Sequence, residues 1–163
     1  MWYWHAERRE IAVNHNVGGN TPRILVVHIM QGTLRGTDAW FHNPAAQVSA
    51  HFGVGRDGKI YQWVSTDDQA WHAADANSYS IGVEHEGVSG QHLTTAQIQA
   101  TAGILDWAHH HYPDIDLWLN KRISGSGLSY HGLGGAAWGS HPNCPGEPIV
   151  NQLPLILSEA KLG

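Results

Sequence analysis

The only cysteine of the chain and a nearby histidine are the residues best suited to chemistry. Cys144 lies between Asn143 and a Pro-Gly pair, and His131 precedes it by 13 residues. The segment between them is rich in glycine and alanine, so its two ends can converge on one point. Imidazole and thiolate are both ligands that zinc accepts. Segment 130–146 therefore predicts two ligands of a metal site, and a third ligand has to come from elsewhere in the chain.

Two other roles are open to Cys144. A lone cysteine is commonly a small, buried, apolar side chain. A cysteine nucleophile is disfavoured, because a thiolate between Asn143 and Pro145 lacks the helix N-terminus that usually activates it. Metal ligation and apolar packing are thus the two alternatives that a structure has to separate.

His28 is the candidate third ligand. It lies near the end of run 23–29, whose continuous apolar and β-branched residues are typical of a strand buried on both faces of a sheet. On these residues alone, His28 is equally a core histidine bonded to a neighbour or a ligand presented at a strand end. Three protein ligands would leave one tetrahedral position for water, as in catalytic zinc sites.

A carboxylate in a second predicted strand is the candidate acid or base. Run 79–87 alternates in polarity, and Glu84 and Glu86 share the face opposite its apolar residues. A carboxylate in an inner strand is costly unless it is paired or functional. Glu84 is the favoured functional group, an ion-paired strand carboxylate is the alternative, and Glu86 is the substitute.

The elements around these residues predict one domain over residues 1–163, of the α/β class, with a mixed central β-sheet flanked by α-helices. Asp57-Gly58 between two alternating runs predicts a hairpin. Residues 1–20 lack a clear period and are interpreted as an N-terminal wrap over the domain. The predicted helices are a short one over 37–42, the longest one from a capping box at 94–97 to Pro113, and a C-terminal one over 149–162.

Composition excludes several partners. The formal net charge is −5 and no basic run is present, which argues against nucleic acid and against charge-driven binding to an anionic surface. No apolar run reaches membrane-spanning length, and the residues after Met1 do not form a signal peptide, so we expect synthesis in the cytoplasm.

Three consecutive histidines occupy positions 109–111 and could suggest a metal site. Because consecutive residues of a helix point to different faces, we interpret this run as a solvated helix end.

Five segments carry a family resemblance. They are I-L-V-V-H (24–28), S-A-H-F-G-V-G-R-D-G-K-I-Y-Q (49–62), W-H-A-A-D-A-N-S-Y-S-I-G-V-E (71–84), S-Y-H (129–131) and N-C-P-G (143–146). In this order they resemble the zinc-dependent N-acetylmuramoyl-L-alanine amidases of the phage-lysozyme and peptidoglycan-recognition-protein superfamily, over about residues 23–149. The resemblance implies the mixed α/β fold of that superfamily.

The resemblance also implies a site. His28, His131 and Cys144 correspond to the ligands of one Zn²⁺ ion, and Glu84 to the general base. Two positions depart from the pattern: Ala50 replaces a tyrosine of the phage branch, and Pro142 stands where many members carry a lysine or histidine that stabilises the oxyanion. His141 is the candidate for that last role. The predicted substrate-binding residues, each with core packing or a structural hydrogen bond as the alternative, are His51, Trp71, His72, Asn77 and Trp138.

The implied reaction is hydrolysis of the amide between N-acetylmuramic acid and the L-alanine of the stem peptide in bacterial peptidoglycan. The implied setting is a monomeric endolysin-type domain of a phage that acts on the cell wall, with a wall-binding module after it in the full protein. The alternative from another class is a recognition module that binds peptidoglycan without cutting it. Such modules typically lack the cysteine ligand, so Cys144 favours the enzyme.

Overall fold

The computed structural model describes residues 1–162, and its main sheet is built around the strand that carries His28. Every residue of that strand is buried, as its continuous apolar pattern predicts. Six strands form the main sheet, in the order β1-β5-β4-β7-β3-β8, and β2 pairs with β6 in a separate two-stranded sheet. The strands are β1 (Glu7–Arg8), β2 (His15–Gly19), β3 (Ile24–Ile29), β4 (Phe52–Val54), β5 (Ile60–Gln62), β6 (Asp68–Ala70), β7 (Ser80–His85) and β8 (Gly127–Tyr130).

The sheet is mixed, as predicted. Within it β4 and β5 form the antiparallel hairpin around Asp57-Gly58, and the other four pairs are parallel. The register of β3 against β7 sets His28 opposite Glu84. The register of β3 against β8 pairs Val27 with Tyr130, so His131 follows directly at the same sheet end. Parallel strands thus bring three of the predicted site residues to their carboxyl ends, where ligands bind in open α/β sheets.

Four α-helices within residues 1–162 flank this sheet. The longest, α2, begins with the predicted capping box, in which Thr94 and Gln97 satisfy each other's backbone N–H groups. Its apolar residues are buried against the sheet and against the last helix, α4. The helices are α1 (Leu34–Phe41), α2 (Thr95–His111), α3 (Glu147–Val150) and α4 (Leu153–Ala160).

The three histidines that end α2 hydrogen-bond to separate backbone carbonyls. His109 contacts the carbonyl of Ile115, and the next two contact the carbonyls one turn back in the helix. They do not share a ligand position, which confirms the interpretation as a helix end.

Three predictions of local structure need correction. The C-terminal helix is two helices, because Pro154 cannot continue a helix and lies in the first turn of α4. Residues 1–20 do more than wrap over the domain: they contribute β1 to the main sheet and β2 to the small one. The helix α1 starts earlier than predicted, at Leu34, where the Thr33 hydroxyl caps it. The segment before β7 contains a short 3₁₀ helix, Ala74–Ser78.

None of the helices within residues 1–162 combines the length and apolar character that crossing a membrane requires.

Candidate metal centre

The structure brings the three predicted ligands together. One donor atom from each of His28, His131 and Cys144 lies within 4.8 Å of the other two. The Sγ atom of Cys144 is 3.8 Å from Nδ1 of His28. His28 and His131 are buried and Cys144 is half-buried, so the cluster is largely shielded from water. The cysteine therefore faces the two imidazoles, which is the geometry of a ligand rather than of apolar packing alone.

The two ligands of the loop are held by backbone contacts within it. The N–H of Gly132 donates to the carbonyl of Cys144 over 2.8 Å, and the N–H of Cys144 donates to the carbonyl of His141. A Cβ atom at position 132 would lie 2.9 Å from the carbonyl oxygen of Pro142, so glycine is required where the two legs of the loop meet. This close approach converts a 13-residue separation into one site.

The protonation of His131 follows from its hydrogen bond. Its Nε2 atom lies 2.7 Å from the carbonyl oxygen of Trp138. A carbonyl only accepts, so Nε2 carries the proton and Nδ1 keeps a lone pair. The His28 ring is bonded through Nε2 as well, to Nδ1 of His72 over 2.9 Å, and its Nδ1 faces Cys144. Both rings thus direct Nδ1 toward the cluster, with the other nitrogen held from outside, as is usual for metal-ligating histidines.

Glu84 is the predicted carboxylate that lies beside this cluster. Its Oε1 atom is 4.0 Å from Nδ1 of His28, and its buried Oε2 atom has no hydrogen-bond partner. Glu84 forms no ion pair with lysine or arginine among residues 1–162, so it is not the salt-bridged strand carboxylate of the alternative. Glu86 instead accepts from the N–H of Arg56, away from the cluster.

Burial controls the electrostatics of the site. It lowers the pKa of His28 well below its usual value and, to a lesser degree, the pKa of His131, with neighbouring histidines adding to the effect. Burial raises the pKa of Glu84 to about 8. Burial first, and then the Glu84 charge, raise the pKa of the Cys144 thiol to about 12. The site therefore disfavours any charge of its own, and a bound dication would offset that cost by stabilising the thiolate and the carboxylate.

The donor set fits zinc. Two neutral imidazoles and a thiol converge, each imidazole is bonded from outside, and a carboxylate oxygen without a partner stands next to them. Catalytic zinc sites typically have three protein ligands and leave a fourth position open for water or substrate, which matches this donor set.

The cluster opens into a cavity of about 390 Å³. Of the residues predicted to act on substrate, Trp71, His72 and His141 line it together with the ligands and Glu84. The His141 ring packs against the His131 ring, with centroids 4.5 Å apart and the planes tilted by 30°. The other wall residues, none of which was predicted to bind substrate, are Ile29, Gln31, Phe41, Val48, Ser49, Ser140, Pro142 and Asn143.

Three predicted substrate-binding residues do not line this cavity. His51 is fully buried, and its Nδ1 accepts from the N–H of Gly82. The Asn77 side chain accepts from the N–H groups of His72 and Ala73, so it fixes the local backbone. Trp138 is 1% exposed and packs in the core, with its indole N–H bonded to Tyr79. The alternative role, packing or a structural hydrogen bond, is the one that the structure gives all three.

Fold and site together define a class: an α/β protein with a His-His-Cys cluster and an unpaired carboxylate at the carboxyl end of a mixed sheet. The sequence supplies the family. Residues 18–147 match the family described as N-acetylmuramoyl-L-alanine amidase. The chain belongs to this family.

Individual relatives agree with this membership. N-acetylmuramoyl-L-alanine amidase A of Achromobacter lyticus is 39% identical over 92 residues, 55% of this chain and 52% of that protein, so the match spans about half its length. The 1,6-anhydro-N-acetylmuramyl-L-alanine amidase AmpD of Citrobacter freundii is 33% identical over 141 residues, 69% of this chain and 75% of that protein. The structure of the Staphylococcus aureus hydrolase AmiA with its ligand is similar in fold, with a TM-score of 0.76 at 17% identity over 99% of this chain and 85% of that one.

Proposed function

We propose that this chain hydrolyses the amide between N-acetylmuramic acid and the L-alanine of the stem peptide in bacterial peptidoglycan, with one zinc ion as cofactor. The observation that carries the proposal is the convergence of His28, His131 and Cys144 next to the unpaired carboxylate of Glu84. Membership of the amidase family supplies the class of bond, and the donor set supplies the class of metal.

His28, His131 and Cys144 would hold the ion. When bound there, zinc supplies Lewis acidity that polarises the scissile carbonyl and acidifies water toward a pKa of about 7. Glu84 does the proton chemistry: it takes a proton from the attacking water and returns it to the nitrogen of the departing alanine. Its Oε2 atom has no hydrogen-bond partner and is available for this transfer. Burial raises the pKa of this carboxyl in the metal-free site, and a bound dication would lower it again, so that the carboxylate can accept a proton.

His141 is proposed to stabilise the negative charge that develops on the carbonyl oxygen. Its ring lies on the cavity wall over His131, and Pro142 next to it has no side-chain donor for this task. Donors placed where charge develops are worth roughly 10²–10³-fold in rate. Trp71, on the same wall, offers an aromatic face on which a sugar or a peptide side chain can pack.

In the whole protein we propose a phage endolysin-type role, acting on the cell wall as a monomer. A net charge of −5 gives this domain no electrostatic attraction to an anionic wall. A wall-binding module C-terminal to the domain would supply the missing affinity.

The test is product analysis. Purified wall fragments are incubated with the protein, and the products are identified by mass spectrometry. We expect free stem peptides with an N-terminal alanine and intact glycan strands. Treatment with a chelator, the matched control, should abolish the reaction, and added zinc should restore it.

Two outcomes would contradict the proposal. Cleavage within the glycan or within the peptide would show that the protein hydrolyses a bond other than the proposed amide. Binding of wall fragments with no product at all would favour the recognition module.

A further inference from the structure

We infer that His72 is a positioning residue: it fixes which nitrogen of the His28 ring carries the proton and thereby keeps the other nitrogen open for the metal. His72 was predicted to bind substrate, but both of its ring nitrogens have partners inside the protein. Nδ1 lies 2.9 Å from Nε2 of His28, and Nε2 lies 3.1 Å from the hydroxyl of Ser80. The inference rests on the proposed metal centre.

His28, His72, Ser80 and Ala76 are joined by a series of hydrogen bonds, which we call the relay. The direction of each bond follows from the acceptor at the Ala76 end. The hydroxyl of Ser80 lies 2.6 Å from the carbonyl oxygen of Ala76. A carbonyl cannot donate, so the single hydroxyl proton is given to Ala76. The Ser80 oxygen can then only accept from His72, which places a proton on Nε2 of that ring.

The rest follows from the chemistry of a neutral imidazole, in which one nitrogen donates and the other accepts. Since Nε2 of His72 donates to Ser80, Nδ1 of His72 accepts, and the donor over that 2.9 Å is Nε2 of His28. His28 is thus protonated at Nε2, and its Nδ1 presents a lone pair to Cys144 and the cluster. The carbonyl oxygen of Ala76, three hydrogen bonds away from His28, thus determines which tautomer this proposed ligand adopts.

The surrounding chain is shaped to hold His72 in this relay. A Cβ atom at position 82 would lie 2.6 Å from Cγ and Nδ1 of the His72 ring, so only glycine in β7 leaves room for it. The Asn77 side chain accepts from the backbone N–H of His72 and fixes where the ring starts. His131 needs no such relay, because a backbone carbonyl binds its Nε2 directly.

The experiment uses substitutions that separate the two ends of the His72 ring. In His72→Asn the amide oxygen can take the place of Nδ1 and still accept from His28, whereas His72→Phe keeps the ring volume and removes both bonds. Zinc affinity is measured for the folded proteins by competition with a chelating dye. We expect a 10–100-fold weaker affinity for His72→Phe, the usual effect of losing an outer-shell partner, and an affinity near that of the unsubstituted protein for His72→Asn.

His109→Phe is the matched control. The His109 ring also forms a hydrogen bond through Nδ1, in its case to the carbonyl of Ile115, but it lies at the end of α2. The substitution should leave zinc affinity unchanged. Unchanged affinity in His72→Phe, or an equal loss in His72→Asn, would overturn the inference.

A second measurement does not depend on metal or activity. In the metal-free protein labelled with ¹⁵N-histidine, long-range ¹H–¹⁵N spectra report which ring nitrogen is protonated. We expect His28 to carry its proton on Nε2, and Ser80→Ala to shift it toward a mixture. A proton on Nδ1 of His28 in the unsubstituted protein would refute the relay. If the protein bound no zinc while this tautomer was observed, the proposed function would fail and the relay would stand.

Discussion

The two halves of the site are positioned by different means. His28 and Glu84 lie in adjacent parallel strands, where ladder register sets them opposite each other and both strands are buried. The other two ligands, His131 and Cys144, come from a loop whose shape depends on a few turn contacts and on Gly132. The strand half is fixed by the whole sheet, whereas the loop half is fixed locally.

This difference separates what each half contributes. The strand half contains the only carboxylate beside the cluster within residues 1–162, and with it the proposed proton transfer. The loop half contains the only thiol and the second imidazole. We therefore expect substitution of Glu84 to change catalysis without loss of metal. Substitution of a ligand, whether His28 in the strand half or His131 or Cys144 in the loop half, should change metal retention first.

The largest effect is expected for Glu84→Ala. The variant should lose roughly 10²–10⁴-fold in turnover, the usual contribution of a general acid–base group, and should keep its fold and zinc. Turnover is measured on wall fragments, and zinc by elemental analysis. Glu86→Ala is the matched control, because that carboxylate is bound to the N–H of Arg56 and does not line the cavity. Near-normal turnover of Glu84→Ala would remove Glu84 from the role.

Cys144→Ser should come next. A hydroxyl is a much weaker zinc ligand than a thiolate, so zinc affinity should fall by more than the roughly 10–100-fold expected for an outer-shell change. Dye competition measures the affinity, and circular dichroism checks the fold. Ser140→Ala, on the same loop and cavity wall but outside the cluster, is the control. Zinc content equal to that of the unsubstituted protein would count against Cys144 as a ligand.

The smallest effect concerns the stability of the sheet that carries the strand half, where His51 precedes β4 and His85 ends β7. Burial lowers the pKa of His51 and of His85 to about 4, so the unfolded chain binds more protons than the folded one between about pH 4 and 6.5. The contribution of these two histidines to the free energy of unfolding is therefore complete above about pH 6.5. It is lost as the pH falls, by roughly 3 kcal/mol for each histidine near pH 4.

Urea unfolding of the metal-free protein at about pH 7.5 and about pH 5 measures this loss. His110→Gln, at an exposed position, should show the same pH dependence as the unsubstituted protein. Equal stability at the two pH values would show that these rings are not buried as neutral groups.

The same contrast explains what could be predicted from the sequence. Patterns with a strong period gave β3, the β4–β5 hairpin and the capped helix α2, because local periodicity reflects burial directly. They also gave the alternation in β7 that singles out Glu84. The pairing of β3 with β7, which places Glu84 beside His28, depends on contacts between distant segments and has no local pattern.

The roles of the polar residues around the site were harder to predict. Asn77 and Trp138 have the types that bind sugars and peptides, yet one caps the backbone at His72 and the other packs in the core. His72 lines the cavity but uses both nitrogens internally. Residue type shows what a side chain can bind, and only the fold decides which partner reaches it first.

The pairing of His28 with Glu84 across β3 and β7 has a consequence for folding. Side chains alternate between the faces of a strand, so a shift of one residue between these two strands would turn one of the pair to the opposite side of the sheet. A molecule with slipped strands could be compact and still inert. The specific activity of a refolded sample would thus report the fraction of molecules whose strands are correctly aligned. Helix and sheet content measured by spectroscopy would not report that fraction.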